Sequence, residues 1–273
     1  MRVKELIPPP LRPPARAVFF RLYRGAVRLR CWCLDRLEKH DLGDGLMLPP
    51  AMLRFRVDEN PSARLFLDSG RRISLDIHAA LASIGRPFAS FDSVLDFGCG
   101  CGRTLIWLAR EHPGQALYGC DVDAPAIGWC RLHLAAAGFA VNPSLPPTLY
   151  PDGMFDLILA ISVFTHLDEE AQLRWLGELQ RILRPGGVLL LSLHGAHSWT
   201  ALPREDLETL GRRGFLFKTS AKLRGIVPGW YHTAYHSRSY AERTFARYFT
   251  VLSYREAGLG FQDLVALERP PSF

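Results

Sequence analysis

The rhythm of apolar positions changes near residue 93 and divides the chain into an extension and a core. From Arg16 to Lys39, Val18, Leu22, Ala26, Leu29, Cys33 and Leu37 recur at helical spacing, which predicts one amphipathic helix. Arg21, Arg24 and Arg28 fall on another face of it. Residues 41–53 contain two glycines and paired prolines and read as a linker. Residues 62–85 read as helix. Beyond them, short apolar runs at 93–97, 116–120, 139–141, 155–161 and 188–193 predict strands, and helices are expected between them at 102–111, 124–137 and 168–183. Near-continuous apolar strands alternating with helices predict an α/β fold: a doubly wound, mostly parallel sheet covered on both faces. The last two runs, 250–256 and 262–268, flank Gly258-Leu259-Gly260 and predict an antiparallel hairpin at one sheet edge. The division expected is an extension over 1–53, which begins Pro-rich, and a core over 54–273. An insertion at 195–237, with a helix near 204–213, is expected to cover the acceptor site.

Composition adds that this core can be large: 48% of the 273 residues are hydrophobic. The net charge of +6 is unevenly placed. Residues 1–40 hold ten Lys/Arg against Glu5, Asp35 and Glu38, whereas residues 91–273 hold 17 basic and 18 acidic residues. A nearly neutral core argues against a general nucleic-acid binder. The basic helix over 16–39 either packs its apolar stripe on the core or a partner, or lies on an anionic membrane surface. With no secretory signal and no bilayer-length apolar run, the expectation is a cytoplasmic protein, peripheral at the inner membrane surface in the second case. The six cysteines include no CxxC pair, so reduced thiols and no metal site are expected.

The chemistry concentrates in Val94-Leu95-Asp96-Phe97-Gly98-Cys99-Gly100-Cys101-Gly102-Arg103. A strand runs into glycine at every second position and then into a helix. Glycine there permits unusual backbone angles and close approach of a ligand. A dinucleotide fingerprint would need a third glycine at position 103, which is arginine. Asp96, two residues before the first glycine, suits a cofactor presenting an ammonium group better than one presenting a pyrophosphate. Asp121 ends the second strand and can accept hydrogen bonds from both ribose hydroxyls. Asp123 is well placed to cap the next helix.

The ordered set VLDFGCGCGR, YGCDVD, FDLILAISVFTHL and RILRPGGVLLL resembles the class I S-adenosylmethionine (SAM)-dependent methyltransferases, over roughly residues 91–194. The closing Tyr-rich segment and QDLVALE look like a bacterial subgroup of small-molecule type. The resemblance implies a seven-stranded sheet with SAM held by Asp96, Gly98, Cys99, Gly100, Gly102, Asp121, Val122, Asn142 and Ser162. Asn142 stands where the family often carries an acidic residue near the adenine amino group. Any general base is expected among His166, His194 and His232, the last within Trp230-Tyr231-His232-Thr233-Ala234-Tyr235-His236. None is obligatory, because positioning alone can supply roughly 7–11 kcal/mol. The function implied is methyl transfer to O or N of a small-molecule acceptor. The rivals are a membrane-associated or macromolecular acceptor, a non-catalytic SAM-binding subunit and, outside the family, an NAD-dependent oxidoreductase.

Overall fold

The computed structural model describes residues 12–38, 46–200, 202–219, 224–227 and 232–271. Three helices precede the sheet: α1 (Arg12–Leu37), α2 (Ala51–Asp58) and α3 (Ala63–Ser83). Then follow β1 (Ser93–Phe97), α4 (Leu105–Glu111), β2 (Ala116–Asp121), α5 (Ala124–His133), β3 (Ala137–Val141), β4 (Phe155–Ala160), α6 (Glu169–Ile182) and β5 (Leu183–Leu193). The rest comprises α7 (Arg204–Arg213), β6 (Phe215–Lys218), β7 (Thr233–His236), α8 (Arg238–Phe245), β8 (Thr250–Leu259) and β9 (Gln262–Glu268).

Seven strands form one sheet in the order β3-β2-β1-β4-β5-β9-β8. The first five are parallel, and β9 and β8 close the edge as an antiparallel hairpin. Every residue of β4 is buried, because helices cover both faces of the sheet. One face packs α6 and α8 through Trp175, Leu176, Leu179 and Phe245. The other packs α3, α4 and α5 through Ile77, Leu81, Leu105, Leu108 and Ile127. Connections leave β1 toward β2 on one side and reach β4 on the other, so a crevice opens at the carboxyl ends of β1 and β4.

Several boundaries differ from the pattern reading. The 41–53 stretch is not linker throughout, for α2 begins at Ala51. Its Arg54 is fully buried, its guanidinium bonded to the carbonyls of Pro49 and Pro61 and to Glu38. The helix expected to reach 137 stops at His133, since residues 137–141 pair in register with β2. β5 begins at Leu183, and Arg184-Pro185-Gly186-Gly187 forms an irregularity inside it rather than a loop before it.

The expectation that the α1 stripe packs on the core fails. Val18, Leu22, Leu29 and Leu37 are 58%, 69%, 62% and 82% exposed. The opposite face, with Tyr23, Val27, Cys31 and Leu34, packs against Phe55 of α2 and against Ile226 and Val227.

The 195–237 interval holds α7 and a two-stranded sheet, β6 with β7. That sheet is tied to the carboxyl edge of the main one: Ala234 N–H donates to Thr165 O, and His236 N–H to His194 O. Trp230 and Tyr231 of the aromatic cluster lie outside the described residues.

Candidate active site

The crevice contains about 1020 Å³ of empty space, its open mouth included. Its floor is the loop after β1. Gly98 and Gly100 have φ of +80° and +55°, a region glycine occupies without strain. The loop is tied to β2 because the N–H groups of Gly98 and Cys99 donate to Cys120 O.

Asp121 is fixed at the end of β2. Its Oδ2 accepts from Gly100 N–H at 2.8 Å and its Oδ1 from Asp123 N–H at 2.8 Å. A carboxylate has about four acceptor sites, so each oxygen keeps capacity for a ligand hydroxyl. Burial raises its pKa, while the N–H donors to it work in the other direction.

Asn142, after β3, also lines the crevice. Its Nδ2 donates to Pro143 O, and its Oδ1 is a buried acceptor with no partner among the described residues. Such an atom calls for a donor from a ligand.

Asp96 lies behind the lining and is 3% exposed. Among the described residues no hydrogen bond or ion pair reaches its carboxylate. Burial and the neighbouring charge of Asp121 push its pKa up to about 7, with Arg103 opposing weakly. It is a site that gains from an arriving cation.

Of the other residues expected at the cofactor, Val122 and Ser162 line the crevice. Ser162 has φ of +59°, and its N–H donates to Ser192 Oγ. A non-glycine residue in that region carries backbone strain. Cys99 and Gly102 do not line the crevice. Cys99 is buried beneath the loop, and Gly102 sits against Leu134 and Cys130.

The structure separates the three histidines. His166 lines the crevice. Its Nδ1–H donates to His232 O at 2.6 Å, which leaves the lone pair on Nε2. Burial lowers its pKa, so the ring is neutral near pH 7. His232 therefore enters through its carbonyl, while its ring rests edge-on against Phe217. His194 does not line the crevice; it packs between Tyr235 and Phe261, and burial pushes its pKa down to about 4.

Pattern reading missed the roof, which is α2. Leu53, Arg56 and Val57 all line the crevice. Val57 stands directly over the loop, with its Cγ2 only 2.7 Å from where a Cβ on Gly100 would sit. Val163 does the same over Gly98. The glycines thus admit the chain's own valines in this arrangement. Arg56 holds the roof down, with Nη1 3.0 Å from both oxygens of Asp123 and Nε bonded to Ile226 O. Asp123, expected to cap α5, makes no side-chain cap and pairs with Arg56 instead. Arg56 and Asp123 are 67 residues apart, so no local pattern announces the pair.

A glycine-floored crevice at this switch point, with a carboxylate one strand over, lies where doubly wound α/β sheets bind ligands. Residues 95–189 match a family model described as Methyltransferase domain. A methyltransferase, GfsG, of Streptomyces halstedii is 34% identical over 104 residues, which is 36% of this chain and 36% of that one. The 2-methyl-6-phytyl-1,4-hydroquinone methyltransferase of a Synechocystis strain is 27% identical over 76% of this chain and 58% of its own. Among solved structures, a Burkholderia thailandensis 1,6-didemethyltoxoflavin-N1-methyltransferase with bound S-adenosylhomocysteine has a TM-score of 0.54. It is 18% identical and covers 81% of this chain and 88% of its own, a likeness of fold. Over residues 95–189 the chain thus matches a methyltransferase domain, on a fold shared with methyltransferases of known structure. It spans only 33–54% of the length of the first three curated relatives it matches. Acceptors named among the matches range from a hydroquinone to tRNA and rRNA.

Proposed function

We propose that the chain transfers a methyl group from SAM to an oxygen or nitrogen atom of a small-molecule acceptor. The observation that carries this reading is the crevice itself: a ribose-type acceptor at Asp121 and an unpartnered Asn142 Oδ1 among the lining, with a neutral imidazole at His166. The donor set fits the cofactor. Asp121 would take the ribose hydroxyls and Asn142 Oδ1 the adenine amino group, while the charge of Asp96, buried just behind the lining, would attract the ammonium. Val122, Ser162, Gly98 and Gly100 would shape the seat, and Cys99 and Gly102 would set the loop behind it. When bound, SAM supplies an electrophilic methyl carried on a sulfonium.

The chain's own contribution is positioning, exclusion of water and proton removal. His166, oriented by the His232 carbonyl, takes the proton of a hydroxyl or amine acceptor on Nε2. The α2 roof narrows access, and the core is nearly neutral; both favour a small acceptor over a nucleic acid. The β6–β7 sheet, tied to the edge beside His194, would bound the acceptor side. The test incubates labelled SAM with the full chain and a fractionated cell extract. Label in the small-molecule fraction, absent with Asp121→Ala, is expected. Label in RNA would transfer the assignment to a nucleic-acid acceptor, and binding without transfer would leave a non-catalytic SAM-binding subunit.

One observation favours membrane contact as part of this reading. The outward face of α1 presents Val18, Leu22, Leu29 and Trp32, beside Arg21, Arg24 and Arg28. No helix among the described residues is long and apolar enough to cross a membrane. Apolar side chains bordered by arginines suit the surface of an anionic bilayer. Salt-sensitive binding to phosphatidylserine vesicles, lost with Leu22→Glu/Leu29→Glu, is the expected result. Equal binding by this variant, or concentration-dependent dimerisation without vesicle binding, would remove it.

A further inference from the structure

Three ligating side chains converge away from the crevice. α4 runs from the glycine loop at the carboxyl edge of the sheet to the opposite edge, a length of about 10 Å for seven residues. At its far end are Glu111 and the next residue, His112; α3 brings His78 to the same place. His78 Nε2 and His112 Nε2 lie 2.7 Å apart, and Glu111 Oε2 lies 3.9 Å from His78 Nε2. One ligand atom from each residue falls within 4.8 Å of the other two.

The surroundings aim these atoms. His78 Nδ1–H donates to Ser74 O at 2.7 Å, which puts its lone pair on Nε2. Ser74 Oγ donates to Glu111 Oε2 at 2.6 Å. Phe88 packs against both imidazoles, at 5.2 and 4.6 Å between ring centres. Carbonyl and hydroxyl partners of this kind fix ligand tautomer and direction in metal sites. Around a tetrahedral zinc ion, donors about 2.0–2.2 Å from the metal stand roughly 3.4 Å from one another. The observed 2.7 and 3.9 Å straddle that value, the third pair lies within 4.8 Å, and rotation of the two imidazoles would turn their Nε2 atoms from each other to a shared ion.

We propose that His78, Glu111 and His112 bind a divalent transition metal ion of the zinc type, clamping α3 to the end of α4. Without metal, His112 Nε2–H donates to His78 Nε2. With metal, the His112 proton sits on Nδ1 and both Nε2 lone pairs face the ion, with no net proton released. The side chains of His78 and Glu111 are 30% and 33% exposed, so the ion enters from solvent and a water completes the set. Cysteine spacing gave no hint of it, because histidines 34 residues apart on different helices form no motif. The clamp is structural, since the length of α4 separates it from the glycine loop.

The test uses the full chain stripped with chelator, then titrated with zinc or cobalt ions alone. Calorimetry should show one equivalent of zinc bound by the wild type and lost in His78→Gln/His112→Gln. Zinc a hundredfold above its dissociation constant should raise the wild-type Tm by about 5–10 °C. The cobalt form should give the strong visible absorption of a tetrahedral site without a thiolate charge-transfer band. That spectrum keeps the test open if the double variant does not fold. S-adenosylhomocysteine affinity should not change with metal, so this outcome stands apart from that of the methyltransferase reading. Equal responses of wild type and double variant, a thiolate band, or no bound equivalent would each overturn the site.

Discussion

Replacing Asp96 by asparagine should stabilise the ligand-free protein and weaken cofactor binding at once. The Asp96 carboxyl is buried, unpaired among the described residues, and its pKa is pushed from an ordinary 3.8 to about 7. A raised carboxyl pKa means that the folded state holds a proton the unfolded chain has already lost. Stability from this group is therefore complete below pH 3.8 and lost as pH rises to 7. The full difference is about 4 kcal/mol, at about 1.4 kcal/mol per pH unit. About 3 kcal/mol of it falls between pH 5 and pH 8. The asparagine side chain does not titrate, so denaturant unfolding should show Asp96→Asn gaining on the wild type by that amount between those two pH values. The same variant should bind S-adenosylhomocysteine at least tenfold more weakly at pH 8, about 1.4 kcal/mol, for want of a carboxylate to meet its ammonium. A stability difference that does not change with pH would refute the buried, unpaired charge. Unchanged affinity would refute its role toward the ligand.

Asp121→Ala should weaken S-adenosylhomocysteine binding a hundredfold or more, about 3 kcal/mol, in calorimetry, as two hydrogen bonds to a charged group are lost. Arg56→Ala should release the roof: surface plasmon resonance should show the ligand leaving several-fold faster, and urea unfolding a loss of about 1–2 kcal/mol. Gly100→Ala should destabilise by about 1–2 kcal/mol, because its Cβ meets Val57 in a strained backbone region; adding Val57→Ala should restore the steric part. His166→Asn should cut kcat by about 10²–10⁴ with ligand affinity within twofold of the wild type. Since burial lowers the His166 pKa, the wild-type rate should hold as pH falls through 6.5 and drop only below it.

The strands and the glycine floor were legible because their signals are local: an apolar run, alternating glycines, an acid ending the next run. The hairpin 250–268 was legible for the same reason. What could not be read depends on partners far along the chain. α2 looks like linker because Pro49 and Pro50 precede it and a charged residue, Arg54, stands on its buried side. Its burial rests on carbonyls and a glutamate that the fold delivers. The stripe on α1 was visible, but periodicity does not say which of two apolar faces meets the core. Tyr23, Val27 and Cys31 won because Phe55, Ile226 and Val227 are complementary to them. Among the histidines, topology placed His166 and His194 at the correct edge. The bond that orients His166, from Nδ1 to His232 O, joins residues 66 apart and had no local signal.

The most direct test is a crystal structure of the full chain with S-adenosylhomocysteine. The expected result has the ribose hydroxyls on Asp121, the adenine amine on Asn142 Oδ1, the ammonium toward Asp96, and Val57 and Val163 moved off the loop. A ligand found elsewhere, with both valines still seated on Gly100 and Gly98 and Asp121 facing no sugar, would contradict the account.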